Sequence, residues 1–109
     1  MNLLIKTEQG VVTEQYTEKL SVKLIESFIS FILSENVPDI EFIKTLPLIK
    51  HIDPYADTYV NSTQAEIYIQ EFKKLLEYTK DENLKQYCQI VVNELKSLPR
   101  NMFLVFSGD

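Results

Sequence analysis

The residues with the most chemical potential in this chain stand close together: His51, Asp53 and Asp57 place an imidazole and two carboxylates on one short segment. Such a set can bind a divalent ion or move a proton. Its spacing matches neither an H-E-x-x-H helix nor an EF-hand loop, and Asp53-Pro54 is above all a turn signal. Asp53 and Asp57 therefore read first as acceptors for backbone N–H groups in Asx turns, with a small hydrolase built on the three residues as the enzymatic alternative. Cys88 is the single cysteine, so it has no bridge partner within the chain and no Cys or His at metal-ligand spacing. Between Tyr87 and Val91 it falls on the apolar face of a helix, where a thiol packs as a small hydrophobe. The only glycines are Gly10 and Gly108, so no Gly-rich phosphate loop can form. The sequence assigns no catalytic residue, cofactor or metal ligand.

Charge points to a different kind of chemistry. Sixteen acidic and eleven basic residues leave a net charge of −5, which disfavours nucleic acid as the partner because phosphate binding rests on Lys and Arg. The imbalance is local. Residues 1–70 hold ten Asp and Glu against five Lys, whereas residues 71–109 hold six of each sign. Glu35, Asp39, Glu41, Asp53 and Asp57 face only Lys44 and Lys50 in a stretch rich in turn signals. This region is either a solvated surface that keeps the protein in solution or a patch that steers a basic partner into contact. Tyr55 and Tyr59 stand within it, away from the apolar stripes that hold most of the six Tyr and six Phe. They are candidate interface anchors, with packing of the loop against the helices as the alternative.

The elements that must position these residues follow from periodicity. The 109 residues, 45% hydrophobic with two Gly and four Pro, have the composition of one globular domain, 1–109. Leu3–Thr7 and Val11–Gln15 read as strands of a hairpin around Glu8-Gln9-Gly10. Thr17 is placed to cap a long helix reaching about Glu35, whose Leu20, Leu24, Phe28, Phe31 and Ile32 recur at steps of three and four. Val22, Ile25, Ile29 and Leu33 widen that stripe, so this helix is expected to be the central, mostly buried element. Asn36 to Pro38 breaks it, and a short helix capped by Asp39, with Ile40 and Ile43 on one side, is expected to end before Pro47. Thr63-Gln64-Ala65-Glu66 is a capping box, and Asn61-x-x-Gln64 offers the same chemistry two residues earlier. A helix to about Lys80 and a second one, recapped by Asp81 and stopped by Pro99, should form an antiparallel hairpin. Met102–Phe106 is an apolar closing strand expected to pair with the N-terminal hairpin. The fold class is α+β, mostly helical: three or four helices packed with a small antiparallel sheet.

The opening apolar run is too short for a secretory h-region, and the longest apolar stretch, Val22 to Leu33, falls short of the ~20 residues that cross a bilayer. A cytoplasmic protein without membrane contact is expected. The stretch His51-Ile52-Asp53-Pro54-Tyr55-Ala56-Asp57-Thr58-Tyr59-Val60-Asn61-Ser62-Thr63-Gln64, followed by two helices and Phe106-Ser107-Gly108-Asp109, resembles a group of small bacterial proteins. These carry an Asp-Pro-Tyr-Gly-Asp-Thr type motif, an Asn-x-x-Gln helix start and an aromatic strand ending in Gly-Asp; Ala56 stands where the motif usually has Gly. The likeness covers roughly Leu46 to Asp109, and it implies an association with immunity proteins that neutralise toxins of bacterial competition. The expected function is then binding of a cognate toxin, often a basic nuclease, by the acidic surface, with Glu35, Asp39, Glu41, Asp53, Tyr55, Asp57 and Tyr59 as partner-binding residues. The alternative is a structural or regulatory adaptor that forms a homodimer through its helical hairpin.

Overall fold

The computed structural model describes residues 1–15 and 20–108. Two strands, β1 (Asn2–Thr7) and β2 (Val12–Gln15), are followed by α1 (Val22–Ile32), α2 (Val37–Ile43) and a single 3-10 turn, Ile49–His51. Strand β3 (Thr58–Asn61), helices α3 (Ala65–Tyr78) and α4 (Glu82–Lys96) and strand β4 (Met102–Ser107) complete the chain. All strand pairs are antiparallel, in the order β2-β1-β4-β3. The expected α+β class and the pairing of the closing strand with the N-terminal hairpin are therefore both present. Gly10, at φ +83°, supplies the left-handed residue of the hairpin turn.

The two sheet faces have separate tasks. Leu3, Ile5, Val60, Leu104 and Phe106 alternate onto the face that the helices cover, where they join one core with Phe28, Phe72, Leu75, Tyr87 and Val91. At its centre the Phe28 ring stacks on Tyr87 at 4.5 Å and lies 6.4 Å from Phe106, tying α1, α4 and the sheet together. On the other face Leu4, Val105 and Tyr59 are opposite one another across three strands. Tyr59 meets Phe103 edge-on at 5.8 Å, and the Lys6 ammonium sits over its ring at 5.5 Å. As the apolar sequence of β4 implies, Val105 on this second face is fully buried too.

Several expectations give way to local chemistry. Helix α4, and not α1, is central, since it packs against α3 on one side and α1 on the other. The wide apolar stripe of α1 is only partly used: Leu24, Phe28 and Phe31 are buried, whereas Val22 and Leu33, at its two ends, are exposed. The helix starts at Val22 after Ser21; Thr17, the expected cap, lies outside the described residues. It stops at Ile32, short of Glu35, because the Ser34 hydroxyl accepts from the Asn36 N–H and draws the chain out of helical geometry. Asn36, and not Asp39, occupies the N-cap of α2, which places Pro38 in the first turn, where a missing N–H costs nothing. Phe42 and Ile43 face the core, while Ile40 is exposed. The apolar run Leu46 to Ile52 resolves as a 3-10 turn that buries Leu46, Ile49 and Ile52 at steps of three. Of the two overlapping boxes before α3, Asn61 and Gln64 form the reciprocal pair: the Gln64 N–H donates to Asn61 Oδ1 at 2.9 Å, and the Asn61 N–H to Gln64 Oε1 at 3.2 Å. Asp81 caps α4 as expected, accepting from the Asn83 N–H at 2.9 Å.

Cys88 is fully buried in α4, and burial pushes its thiol from an ordinary value near 9 up to about 12. Burial moves the neighbouring Tyr87 hydroxyl in the same direction. A group whose pKa rises on folding contributes stability that is complete below its unfolded value and is lost as the pH climbs through the folded one. The urea midpoint should therefore fall between pH 9 and pH 11, and fall less steeply in Cys88→Ala. Equal slopes for the two proteins would show that the thiol is accessible in the native state.

Candidate functional site

The segment from α2 to β3 carries the acidic and aromatic residues of interest, and a buried carboxylate fixes its course. Glu71 is 5% exposed, on the face of α3 that also presents Tyr68, Phe72 and Leu75. Its Oε1 accepts from the N–H groups of Leu48 and Ile49, both at 3.0 Å, and Oε2 lies 3.2 Å from the same Leu48 N–H. These N–H groups open the 3-10 turn, where no backbone acceptor is available. A buried carboxylate at that place satisfies them and is itself satisfied. Sequence reasoning missed Glu71, although a signal was there: it sits three residues after Tyr68 and four before Leu75, in phase with the apolar stripe.

Around this attachment the segment runs along α3. Near the C-terminal end of that helix, Phe42 of α2 stacks on Tyr78 at 3.9 Å with the rings 6° from parallel. The Tyr78 hydroxyl donates to Asp39 Oδ1 at 2.8 Å and the Ser34 hydroxyl to Asp39 Oδ2 at 3.1 Å. Donation to the carboxylate holds the Tyr78 phenol above its ordinary range. Two turns earlier on α3 lies the Glu71 attachment, and beyond it the chain enters the loop that leads to β3.

That loop is fastened at three points. Asp53 Oδ1 accepts from the Tyr55 N–H at 2.8 Å, the Asx turn expected of Asp53-Pro54. Asp57 Oδ1 accepts from the Gly108 N–H at 3.0 Å, so its carboxylate orders the loop against the end of β4 and not through the local Asx turn expected of it. The Gly108 backbone also presses on the loop. A Cβ there would lie 2.2 Å from the Ala56 nitrogen and 2.7 Å from its carbonyl oxygen, distances no side chain can occupy. The Asp-Pro-Tyr stretch and the C-terminal Ser-Gly thus form one unit in space. No non-glycine residue among those described has positive φ, so Ala56 occupies its position without left-handed strain.

The structure sorts the seven candidate binding residues by what they already touch. Asp39, Asp53 and Asp57 each hold a hydrogen bond within the fold. Glu41 pairs with Lys44 at 3.1 Å, an exposed contact worth little. Tyr59 packs on the outer sheet face with Phe103 and Lys6. Glu35 is exposed and Tyr55 is 76% exposed; neither side chain bonds to another described residue. His51 is turned away from the aspartates, its Nδ1 lying 2.7 Å from the Pro47 carbonyl oxygen, to which it donates. Among the described residues no group of three or more His, Cys, Asp or Glu converges as a metal site, and no helix is long and apolar enough to cross a membrane. Comparison of the chain with protein families, curated proteins and solved structures finds no match.

The fastenings make three predictions. Glu71→Ala leaves the buried Ile49 N–H and the half-buried Leu48 N–H without an acceptor and should lower stability in urea by roughly 3 kcal/mol, whereas Glu71→Gln keeps one acceptor oxygen and should lose about half as much. Comparable losses would mean that water replaces the carboxylate at the turn. At the other end, Asp57→Ala should lose ~1 to 2 kcal/mol and Asp57→Asn much less, since the amide oxygen can still accept from Gly108. Gly108→Ala should also destabilise the fold, by ~1 to 3 kcal/mol, because the contact it creates is with backbone and cannot yield. A neutral Gly108→Ala would detach the C-terminal residues from the loop.

Proposed function

We propose that this protein is a non-enzymatic binding domain that neutralises a basic partner protein, in the manner of a bacterial immunity protein acting on its cognate toxin. The observation that carries this reading is Tyr55. Among the described residues it is the most exposed large hydrophobic side chain, yet its backbone is held by Asp53 and by the Gly108 contact. A large ring displayed on a fixed backbone loses little conformational freedom on binding, which is what an interface anchor requires. Asp53 and Asp57 place negative charge on the same loop, and Glu35, Asp39 and Glu41 add to the acidic character of the segment before it, which favours a partner rich in Lys and Arg. The resemblance of the Asp53 to Gln64 stretch and of the chain end to the toxin-immunity group supplies the finer reading. Binding is the whole mechanism: the domain covers the basic surface of the toxin and so keeps it from its own substrate.

Stopped-flow association with the toxin encoded by the adjacent gene tests this. The association rate should fall steeply as ionic strength rises to 0.15 M, where the Debye length is about 8 Å. Glu35→Gln combined with Glu41→Gln should lower the rate at low salt and leave stability nearly unchanged. Tyr55→Ala should act mainly on dissociation, accelerating it by roughly 10- to 100-fold. A rate indifferent to salt and to the Gln changes would move the interface to the α3–α4 hairpin. Absence of a complex at micromolar concentration, together with concentration-dependent dimerisation, would replace this reading by that of a homodimeric adaptor.

A further inference from the structure

The break between α1 and α2 leaves a cleft of about 350 Å3, closed on its far side by the turn that joins α3 to α4. Its wall includes Ser27 and Ser30 of α1, Ser34 just beyond it, Asp39 of α2, Tyr78 at the end of α3 and Asp81 of the turn. Among the described residues its lining holds no Lys or Arg, and neither of its two carboxylates is ion-paired with a described residue. Both are immobilised. Asp39 is held by the Tyr78 and Ser34 hydroxyls, and Asp81 by the N–H groups of Asn83 and Leu84 that it caps. Each keeps further acceptor capacity, because an ionised carboxylate has about four lone-pair sites. The Ser27 and Ser30 hydroxyls bond to no other described side chain or backbone group and add two more positions that can accept.

The kind of occupant follows from size and from donor count. A bare divalent ion does not fit, since no group of three or more His, Cys, Asp or Glu converges among the described residues. A lone ammonium would leave most of the volume and most of the acceptors unused. A guanidinium is planar, permanently charged and carries five N–H donors, and its stem fills a cleft of this size, near the lower end of ligand pockets. We propose that this cleft receives an arginine side chain of the basic partner. It is a second contact in addition to the Tyr55 loop and separate from it, and it rests on the partner-binding reading only for the source of that arginine.

The cleft can be tested without the partner, by following backbone amide NMR signals of the whole protein during titration with N-acetyl-arginine amide. Saturable shifts are expected at residues 27–39 and 78–84, with millimolar affinity, while the neutral isostere N-acetyl-citrulline amide produces none. Asp81→Asn retains a helix cap of equal quality, and Asp39→Asn still accepts from Tyr78. Each should weaken arginine binding by about threefold, the effect of one partly exposed charge. Should Asp39→Asn not fold, Asp81→Asn decides alone. Shifts spread evenly over Glu35, Glu41, Asp53 and Asp57, titration without saturation, or equal binding by Asp81→Asn would overturn the proposal. Such a failure leaves the Tyr55 reading standing, because the salt dependence and the Tyr55→Ala effect on the partner complex do not pass through the cleft.

Discussion

The bond set of Glu71 fixes the half of the molecule that the helices and sheet alone do not determine. Residues between α2 and β3 contain one 3-10 turn and little regular structure, so most of their backbone groups lack partners in a ladder or helix. A carboxylate removed from water costs several kcal/mol unless its oxygens are well bonded, and buried N–H groups carry a smaller cost of the same kind. Joined at the start of the turn, the two costs offset each other. The consequence is positional. With Leu48 and Ile49 held to the middle of α3, α2 is drawn toward Tyr78 at one end and the Asp53 to Asp57 loop toward the sheet edge at the other.

The second fastening closes what the first begins. Strand β3 is short and at an edge of the sheet, a place where register is weakly specified by burial of one residue, Val60. The Asp57 bond to Gly108 and the Asn61–Gln64 pair bracket that strand on both sides. Together they set which residue pairs with which, and so turn Tyr59 to the outer face and Val60 to the core. Tyr55 lies just before this bracket, at the point where the Gly108 backbone approaches most closely.

Regular periodicity was legible in the sequence and tertiary choice was not. The hairpin, α3, α4, the Asp81 cap and the closing strand could all be read because each depends on neighbours within a turn or two. The α1 stripe misled because nine apolar positions describe what a helix can bury, whereas the neighbours it meets, α4 first among them, determine what it does bury. Strand β3 was hidden inside turn signals: Thr-Tyr-Val-Asn is too short to show a period, and its pairing with β4 spans more than forty residues. Of the candidate site, the Asx turn at Asp53 was visible because it is local. The Asp57–Gly108 bond and the Glu71 attachment were not, since nothing in a spacing rule relates residues 51 or 23 positions apart.

The use of aspartate for these fastenings has an electrostatic consequence. A carboxylate paired with Lys loses most of its field at a distance, as Glu41 does beside Lys44. One that accepts from neutral N–H or O–H groups keeps its full formal charge while its side chain stops moving. Asp39, Asp53 and Asp57 are of this second kind, bonded to a hydroxyl pair, a local N–H and the Gly108 N–H respectively. Had Asn carried the same hydrogen bonds, the loop would be as well ordered and the surface close to neutral. Had the charges stood on free Glu side chains, the field would be present but the backbone unheld. Structural order and negative charge are therefore not competing uses of these residues: the same three carboxylates supply both, Asp39 where α2 meets Tyr78 and Asp53 and Asp57 on the loop, and the field each projects is fixed in position by the bonds that hold it.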